Sequence, residues 1–398
     1  MLGFAKYNRF GVALRMGVSA GMLILSSQVV ADQATEYPAA FSKAVDKIFA
    51  PFDRTDAPGC AVGVMKDGEF LHKGAYGMAS LELGVPLTPD SVFRIASVSK
   101  QFTAAAVLLL ADDGVIDLDE DIRRYLPDLP DYAHTVTVRS MLGHTSGMSR
   151  YDHISGSYEG EKQPSAVDLR SPLGRPFRLG NEDYLTNDEF YDVVKKLGLI
   201  HEPDTRFEYN NVAYFLLSKL VEKVSGKTLR TFADERIFGP LGMSETFYSD
   251  DAVEIIKNRA QGYKPKEGGG YINDMTNLFV VGDGGVHTSI NDFIKWDRNF
   301  IDPKLGKDPA AFKALMNTPT SQHKARGALY AYGQFRIETD SNVRYEHSGG
   351  WLGFTSYYRR IEDEGFSLVT LCNNAQQEGL YEAIDAVVDL YFSDKPAG

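Results

Sequence analysis

Apolar positions along this 398-residue chain recur with two periods, one helical and one of strand type. Phe41, Val45, Ile48 and Phe49 stand at helical spacing and predict an amphipathic helix from Pro38 to Phe52. Cys60 to Met65 is a short apolar run, Lys66-Asp67-Gly68 supplies turn chemistry, and Phe70 to Gly74 completes a strand hairpin. A β-like run from Ser91 to Ala96 leads into a long apolar helix, Gln101 to Ala111, which ends at Asp112-Asp113-Gly114. Thr186 followed by Glu189 is a capping box that starts a helix reaching Leu197. Further helices are predicted over Val212 to Val224, where Gly226 stops the pattern, over Leu229 to Ile237 and over Asn291 to Phe300. Three strand-like runs follow, Gly333 to Glu338, Phe354 to Arg360 and Phe366 to Leu371, and Tyr381 to Phe392 closes the chain as a helix. Ser149 to Asp183 has no period; a polar stretch this long is a binding loop, a lid or a disordered segment.

Strands near both ends with helices between them predict an α/β (α+β) chain whose single sheet is assembled from both termini. The expected sheet lobe comprises residues 36–95 plus 280–398, the expected helical lobe is an insertion over 96–279, and Ser97 falls at the seam.

Composition narrows the class. At 43% hydrophobic and 12% aromatic residues the chain has ample material for a large core. Lys6, Arg9 and Arg15 precede an apolar run from Met16 to Leu25, and Val29-Val30-Ala31 offers small residues before a cut, so residues 1–31 read as a secretory signal cleaved after Ala31. The run is short for an uncleaved anchor, and no stable membrane insertion is expected once it is removed. Cleavage would take away three positive charges and move the net charge from -12 to -12 - 3 = -15. A periplasmic or secreted acidic protein is a poor partner for nucleic acid; the expected partner is a small-molecule or peptide substrate. Two cysteines, Cys60 and Cys372, are too few for a disulfide framework or a structural zinc site. Asp117, Asp119 and Asp121 imitate a calcium loop, but Ile122 stands where glycine is needed and Asp128 replaces the final glutamate. No metal and no cofactor is expected.

The candidate chemistry begins at Ser97-Val98-Ser99-Lys100. If Ser97 opens the apolar helix, Lys100 lies one turn on, where its amine can take the proton that makes a serine hydroxyl a poor nucleophile. A second match, Ser321-Gln322-His323-Lys324, sits among turn residues with no helix following and reads as a surface turn. Tyr209-Asn210-Asn211 opens a helix, so a phenol and an amide can project together; the phenol becomes a usable base if a cation such as Lys100 lowers its pKa. His347-Ser348-Gly349-Gly350 precedes a strand pair, and from its residues alone reads either as a loop between strands or as a place where a substrate backbone approaches closely. His144, in Gly143-His144-Thr145-Ser146-Gly147, reads as a turn-stabilising hydrogen-bonder.

Taken together, Ser97-x-x-Lys100, Tyr209-x-Asn211 and His347-Ser348-Gly349 resemble the three motifs of the serine β-lactamase and penicillin-binding-protein-like hydrolases, in particular the class C branch with its DD-peptidase, D-aminopeptidase and esterase relatives. Supporting stretches are Leu142 to Gly147, Pro240-Leu241-Gly242-Met243, Gly284-Gly285 and Tyr332-Gly333. The resemblance implies a β-lactamase/transpeptidase-like fold with an antiparallel sheet flanked by helices. It implies an acyl-enzyme on Ser97, proton handling by Lys100 and Tyr209, substrate contacts from Asn211, His347, Ser348 and Gly349, and an oxyanion hole from the N–H groups of Ser97 and Gly350. The expected substrates are D-amino-acid peptides, small esters or, weakly, β-lactams; the alternative is a sensor or cell-wall-peptide binding protein that acylates without turnover. The sequence departs from the family at Pro203-Asp204, where Pro-Gly is usual, at the bulky Asn210, and at His347, where lysine is usual. A histidine titrating near its ordinary value of about 6.5 would hold a substrate carboxylate only conditionally and would make activity depend on pH. The implied fold also brings the start of the first strand near the end of the last. Because cross-strand disulfide geometry is demanding, Cys60 and Cys372 are expected as two buried free thiols, with a disulfide as the alternative.

Overall fold

The computed structural model describes residues 38–151, 185–276 and 278–394. The signal segment and most of the Ser149 to Asp183 stretch lie outside them. Helix α1 (residues 38–49) runs into a single 3-10 turn, Ala50–Phe52. Strands β1 (Cys60–Lys66) and β2 (Glu69–Tyr76) form the hairpin, with the Asp67-Gly68 corner in left-handed backbone geometry. Only Phe93–Arg94 of the Ser91 to Ala96 run forms a strand, β3, and α2 follows at Lys100–Asp112. Thr186 caps α3 (Asn187–Val194) with both halves of the capping box in place, and α4 (Asn211–Ser225) ends at left-handed Gly226. Short β4 (Phe247–Tyr248) and β5 (Val286–Thr288) precede α5 (Ile290–Arg298). The chain closes with β6 (Leu329–Ala331), β7 (Gln334–Glu338), β8 (Val343–Trp351), β9 (Phe354–Ile361), β10 (Phe366–Cys372) and α6 (Leu380–Asp394).

Seven strands make one antiparallel sheet in the order β6-β7-β8-β9-β10-β1-β2, so the two ends of the chain meet at the β10-β1 pair. Both faces are covered. Along β1, Ala61 and Met65 join the core that holds α2 and α4, while Val62 and Val64 join Phe41, Val45 and Phe49 of α1 and Ile384 and Val387 of α6. That period of two explains why β1 and β10 are buried along nearly their whole length and read as continuous apolar runs. A three-stranded sheet, β3-β5-β4, ties residues 93–94, 247–248 and 286–288 together beside the large one.

One expectation is settled and one corrected. The His347-to-Gly350 stretch, left open by its residues as a loop or a close substrate approach and taken by the resemblance as a motif strand, belongs to β8, nine residues long, paired by β7 through Val343 to Glu346 and by β9 through Arg344 to Trp351. Its low apolar content and paired glycines hide a strand whose ladder is supplied by its neighbours. Cys60 and Cys372 are not free thiols but a disulfide, with Cα atoms 4.0 Å apart. The register places the two residues directly opposite each other on β1 and β10, and that pairing could not be counted from the sequence.

The disulfide links positions 312 residues apart. A maleimide titration of denatured protein should therefore find no reactive thiol without reductant and two with it. The Cys60→Ala/Cys372→Ala double variant should lose about 2–4 kcal/mol of unfolding free energy in denaturant titration. Thiols free in the unreduced protein would remove the bond.

Candidate active site

The serine does not open the α-helix as expected. Ala96–Ser99 form a 3-10 turn, and α2 begins only at Lys100, whose backbone N–H donates to the Ser97 carbonyl. A 3-10 turn has three residues per turn, so side chains at i and i+3 eclipse, and this brings the Lys100 amine over the Ser97 hydroxyl. The turn is entered through Ala96 at φ +46°, a left-handed conformation that an alanine adopts only when its surroundings impose it.

Lys100 is fully buried. Its Nζ lies 3.1 Å from Ser97 Oγ, 2.8 Å from Asn211 Oδ1 and 2.6 Å from the Asp283 carbonyl oxygen. As an ammonium the group has three donors for these three acceptors. Burial lowers its pKa to about 7, against an opposing pull from the Asp283 carboxylate. Losing one proton leaves two N–H groups, and the Asn211 Oδ1 and Asp283 carbonyl can only accept them, so the lone pair faces Ser97 Oγ. The same contact fixes the Asn211 amide, with oxygen toward Lys100 and its NH2 group left as a donor.

Asn211 is placed by the residue before it. Asn210 caps α4, its Oδ1 accepting from the Ala213 N–H, while its Nδ2 donates to the carbonyls of Met148 and Ser149. His144 takes the turn role read from the sequence: at φ +58°, its Nδ1 accepts from the Asn210 N–H, and its ring lies 4.3 Å from that of Tyr209. Asp204 occupies the usual glycine position at φ +58° and accepts from Thr145 Oγ1 at 2.5 Å, so the Pro203-Asp204 departure keeps the turn by side-chain bonding.

Tyr209 corrects a second expectation. Lys100 Nζ sits 5.0 Å from the Tyr209 ring centroid, yet the phenol pKa is raised, because burial outweighs the help of the nearby Ser97 hydroxyl. The Tyr209 oxygen is buried and closes no hydrogen bond among the described residues. Tyr209 is a neutral phenol and Lys100 is the group that titrates near neutrality.

His347 is also not the part-time cation expected. It is 3% exposed, and burial, followed by the charge of Lys100, lowers its pKa to about 3 despite the bond to the Ser348 carbonyl. Nδ1 lies 2.6 Å from that carbonyl and so carries the proton; Nε2, 3.1 Å from the Tyr330 hydroxyl, accepts. The imidazole is neutral throughout pH 6–8.

The glycine pair divides its work. A Cβ on Gly349 would stand 2.3 Å from Ser356 Oγ, 2.4 Å from the Ile95 carbonyl oxygen and 3.1 Å from Ser97 N, so this glycine lets β8 reach the serine turn. A Cβ on Gly350 would meet nothing within 4 Å. Ser348 and Gly350, on the exposed face of β8, line a cavity of about 590 Å³ together with Ser97, Tyr209, His347, Phe207, Arg326 and Phe335. The second serine-lysine match lies in a partly exposed turn, where the Ser321 hydroxyl accepts from the His323 N–H.

Sequence reading missed Asp283, Arg94 and Trp351, which border Ser97 on its other side, as well as the capping role of Asn210. Asp283 precedes Gly284-Gly285, the one nearby signal, and no spacing points to Arg94 or Trp351.

The Beta-lactamase family profile matches residues 45–391. A D-aminopeptidase of Gluconobacter oxydans is 27% identical over 322 residues, covering 81% of this chain and 57% of that protein. Penicillin-binding protein 4* of Bacillus subtilis is 27% identical over 339 residues, covering 80% of this chain and 68% of that protein. The D-amino acid amidase of Ochrobactrum anthropi SV3, solved with L-phenylalanine amide, superposes with a TM-score of 0.71 over 89% of this chain and 99% of that one, at 24% identity, which is a likeness of fold.

Side-chain NMR titration separates the two cations that the site could hold. One lysine, assigned by its loss in Lys100→Met, should titrate near pH 7, while the His347 ring resonances stay flat from pH 5 to 8. A His347 midpoint near 6.5 would contradict the buried, neutral imidazole.

Proposed function

The chain belongs to the β-lactamase family, and from that premise we propose that it is an exported serine hydrolase working through an acyl-enzyme on Ser97. Its relatives include a D-aminopeptidase and a penicillin-binding protein, which supports a hydrolase. The observation that carries the serine reading is the buried Lys100 amine, 3.1 Å from Ser97 Oγ, whose pKa burial lowers to about 7. A general base is most effective when its pKa lies near the working pH.

In the proposed acylation, Ser97 Oγ attacks the substrate carbonyl carbon as Lys100 takes its proton. The neutral phenol of Tyr209, on the same cavity, then relays a proton to the leaving group. The Asn211 NH2 group holds a substrate carbonyl, and the Ser348 hydroxyl contacts the other side of the scissile bond. The N–H groups of Ser97 and Gly350 receive the developing oxyanion, commonly the largest single contribution in such sites.

The substrate class follows from charge. A permanent cation at position 347 would suit carboxylate-bearing β-lactams; the neutral His347 supports D-amino-acid peptides or amides and small esters as the better substrates. A cavity of about 590 Å³ with Phe207, Phe335 and Ile337 on its wall suits an apolar substrate group. The Cys60–Cys372 disulfide supports export, because such bonds persist in oxidising compartments. Among the described residues, no helix is long and apolar enough to cross a membrane.

Intact-protein mass spectrometry after an activated ester and after a D-amino-acid amide tests the reading. Ser97→Ala should lose the acyl adduct, with several orders of magnitude lost in rate, while Ser321→Ala keeps it. The acylation rate should rise with pH through about 7, as Lys100 loses its proton. An adduct on Ser97→Ala would refute the choice of nucleophile, and a wild-type adduct that never clears would favour the sensor alternative.

A further inference from the structure

A second, much smaller cavity of about 20 Å³ also touches Ser97, walled by Arg94, Asn211, Asp283, Gly284, Gly350 and Trp351 and not by His347. That volume holds one water molecule and excludes a substrate side chain. Its wall carries an unusual concentration of unused polar atoms: Asp283 Oδ1, Arg94 Nε and Trp351 Nε1 are all buried without a hydrogen bond among the described residues. Asp283 and Arg94 are 8% and 4% exposed. Buried groups of this kind are normally satisfied by protein or by ordered water, and these three belong to residues that wall a water-sized space. The Tyr151 hydroxyl neighbours the Asp283 carboxylate and interacts with it.

We propose that Asp283 is the general base that activates the hydrolytic water for release of the acyl group from Ser97, with Arg94 and Trp351 holding that water in place. The proposal rests on the acyl-enzyme reading above. Charge favours water over a cationic substrate group here, because the Arg94 guanidinium already stands beside the Asp283 carboxylate. Arg94 itself is anchored by donation to the Leu278 carbonyl at 3.2 Å and lies 5.9 Å from the ring centroids of Phe279 and Trp351. Burial raises the pKa of Asp283 against the pull of Lys100 and Arg94, which strengthens it as a base.

The water oxygen bonds to the acyl carbon while one of its protons passes to the Asp283 carboxylate, giving a tetrahedral intermediate. The carbon–Oγ bond then breaks, Oγ takes up the proton of the new carboxylic acid, the product leaves as a carboxylate, and Asp283 returns its proton to solvent. No oxidant, metal or second substrate enters.

Stopped-flow release of nitrophenol from a p-nitrophenyl ester, with intact mass on the same samples, separates acylation from deacylation in Asp283→Asn. The expected result is one equivalent released in a burst at close to the wild-type rate, a persistent acyl mass, and steady turnover slowed about 100-fold or more, the usual contribution of a general base. Hydroxylamine, which attacks without base assistance, should clear the adduct of the variant; a merely structural lesion would not respond. If Asp283→Asn does not fold, Asp283→Ala with added formate replaces it, and recovery of turnover by formate is expected. An Asp283 variant whose adduct clears at the wild-type rate, or that is insensitive to hydroxylamine or formate, overturns the proposal. Absence of an adduct on Ser97 in every variant and in the wild type would instead refute the acyl-enzyme reading beneath it.

Discussion

The site depends on one constraint: the amine of Lys100 is held where water cannot reach it. Helix α2 is buried along nearly its whole length, from Lys100 to Leu110, so its first residue has no solvent-facing side to turn toward. An ammonium in that position is tolerable only with three acceptors, and Ser97, Asn211 and the Asp283 carbonyl are those three. The same burial that makes the charge costly brings the pKa to about 7, and so turns a structural cation into a group that can exchange a proton near neutral pH.

Everything that contacts this amine is brought there by a different part of the chain. The 3-10 turn stacks Ser97 beneath it, the Asn210 cap aims Asn211 at it, and the loop before β5 supplies the Asp283 carbonyl. Strand β8 closes the remaining side, and can do so only because Gly349 lacks a Cβ where Ile95 and Ser97 pass. The sheet that positions β8 is knitted from both chain ends, and the Cys60–Cys372 bond joins those ends at the β10-β1 pair. Fold and chemistry are thereby coupled through the register of a few strands.

Electrostatics around the serine are asymmetric. On the side of the larger cavity stand the His347 imidazole and the Tyr209 phenol, both kept neutral by burial, with Arg326 and Glu346 also on the wall. On the side of the smaller cavity stand a buried guanidinium and a buried carboxylate. The proposed two-step reaction has different needs in each step, a base close to the nucleophile for acylation and a base close to water for release, and the groups bordering Ser97 differ in the same way.

Much of this was legible in the chain itself. Periodicity located the helices, and the capping box at Thr186, the glycine stop at Gly226 and the apolar runs of β1, β9 and β10 stand where local propensity put them. Spacing paired Ser97 with Lys100, because a separation of three residues is a local property of a turn. The sequence by itself determined which side chains could do chemistry and which elements would carry them. Only the tertiary structure decided their protonation, since burial is a property of the assembled molecule: it kept Tyr209 a phenol, made His347 neutral and made Lys100 the group that titrates. It also decided the cystine, the hidden strand β8 and the approach of Asp283 and Arg94 to the serine, because each joins residues far apart in the chain through strand register and packing that no local pattern encodes.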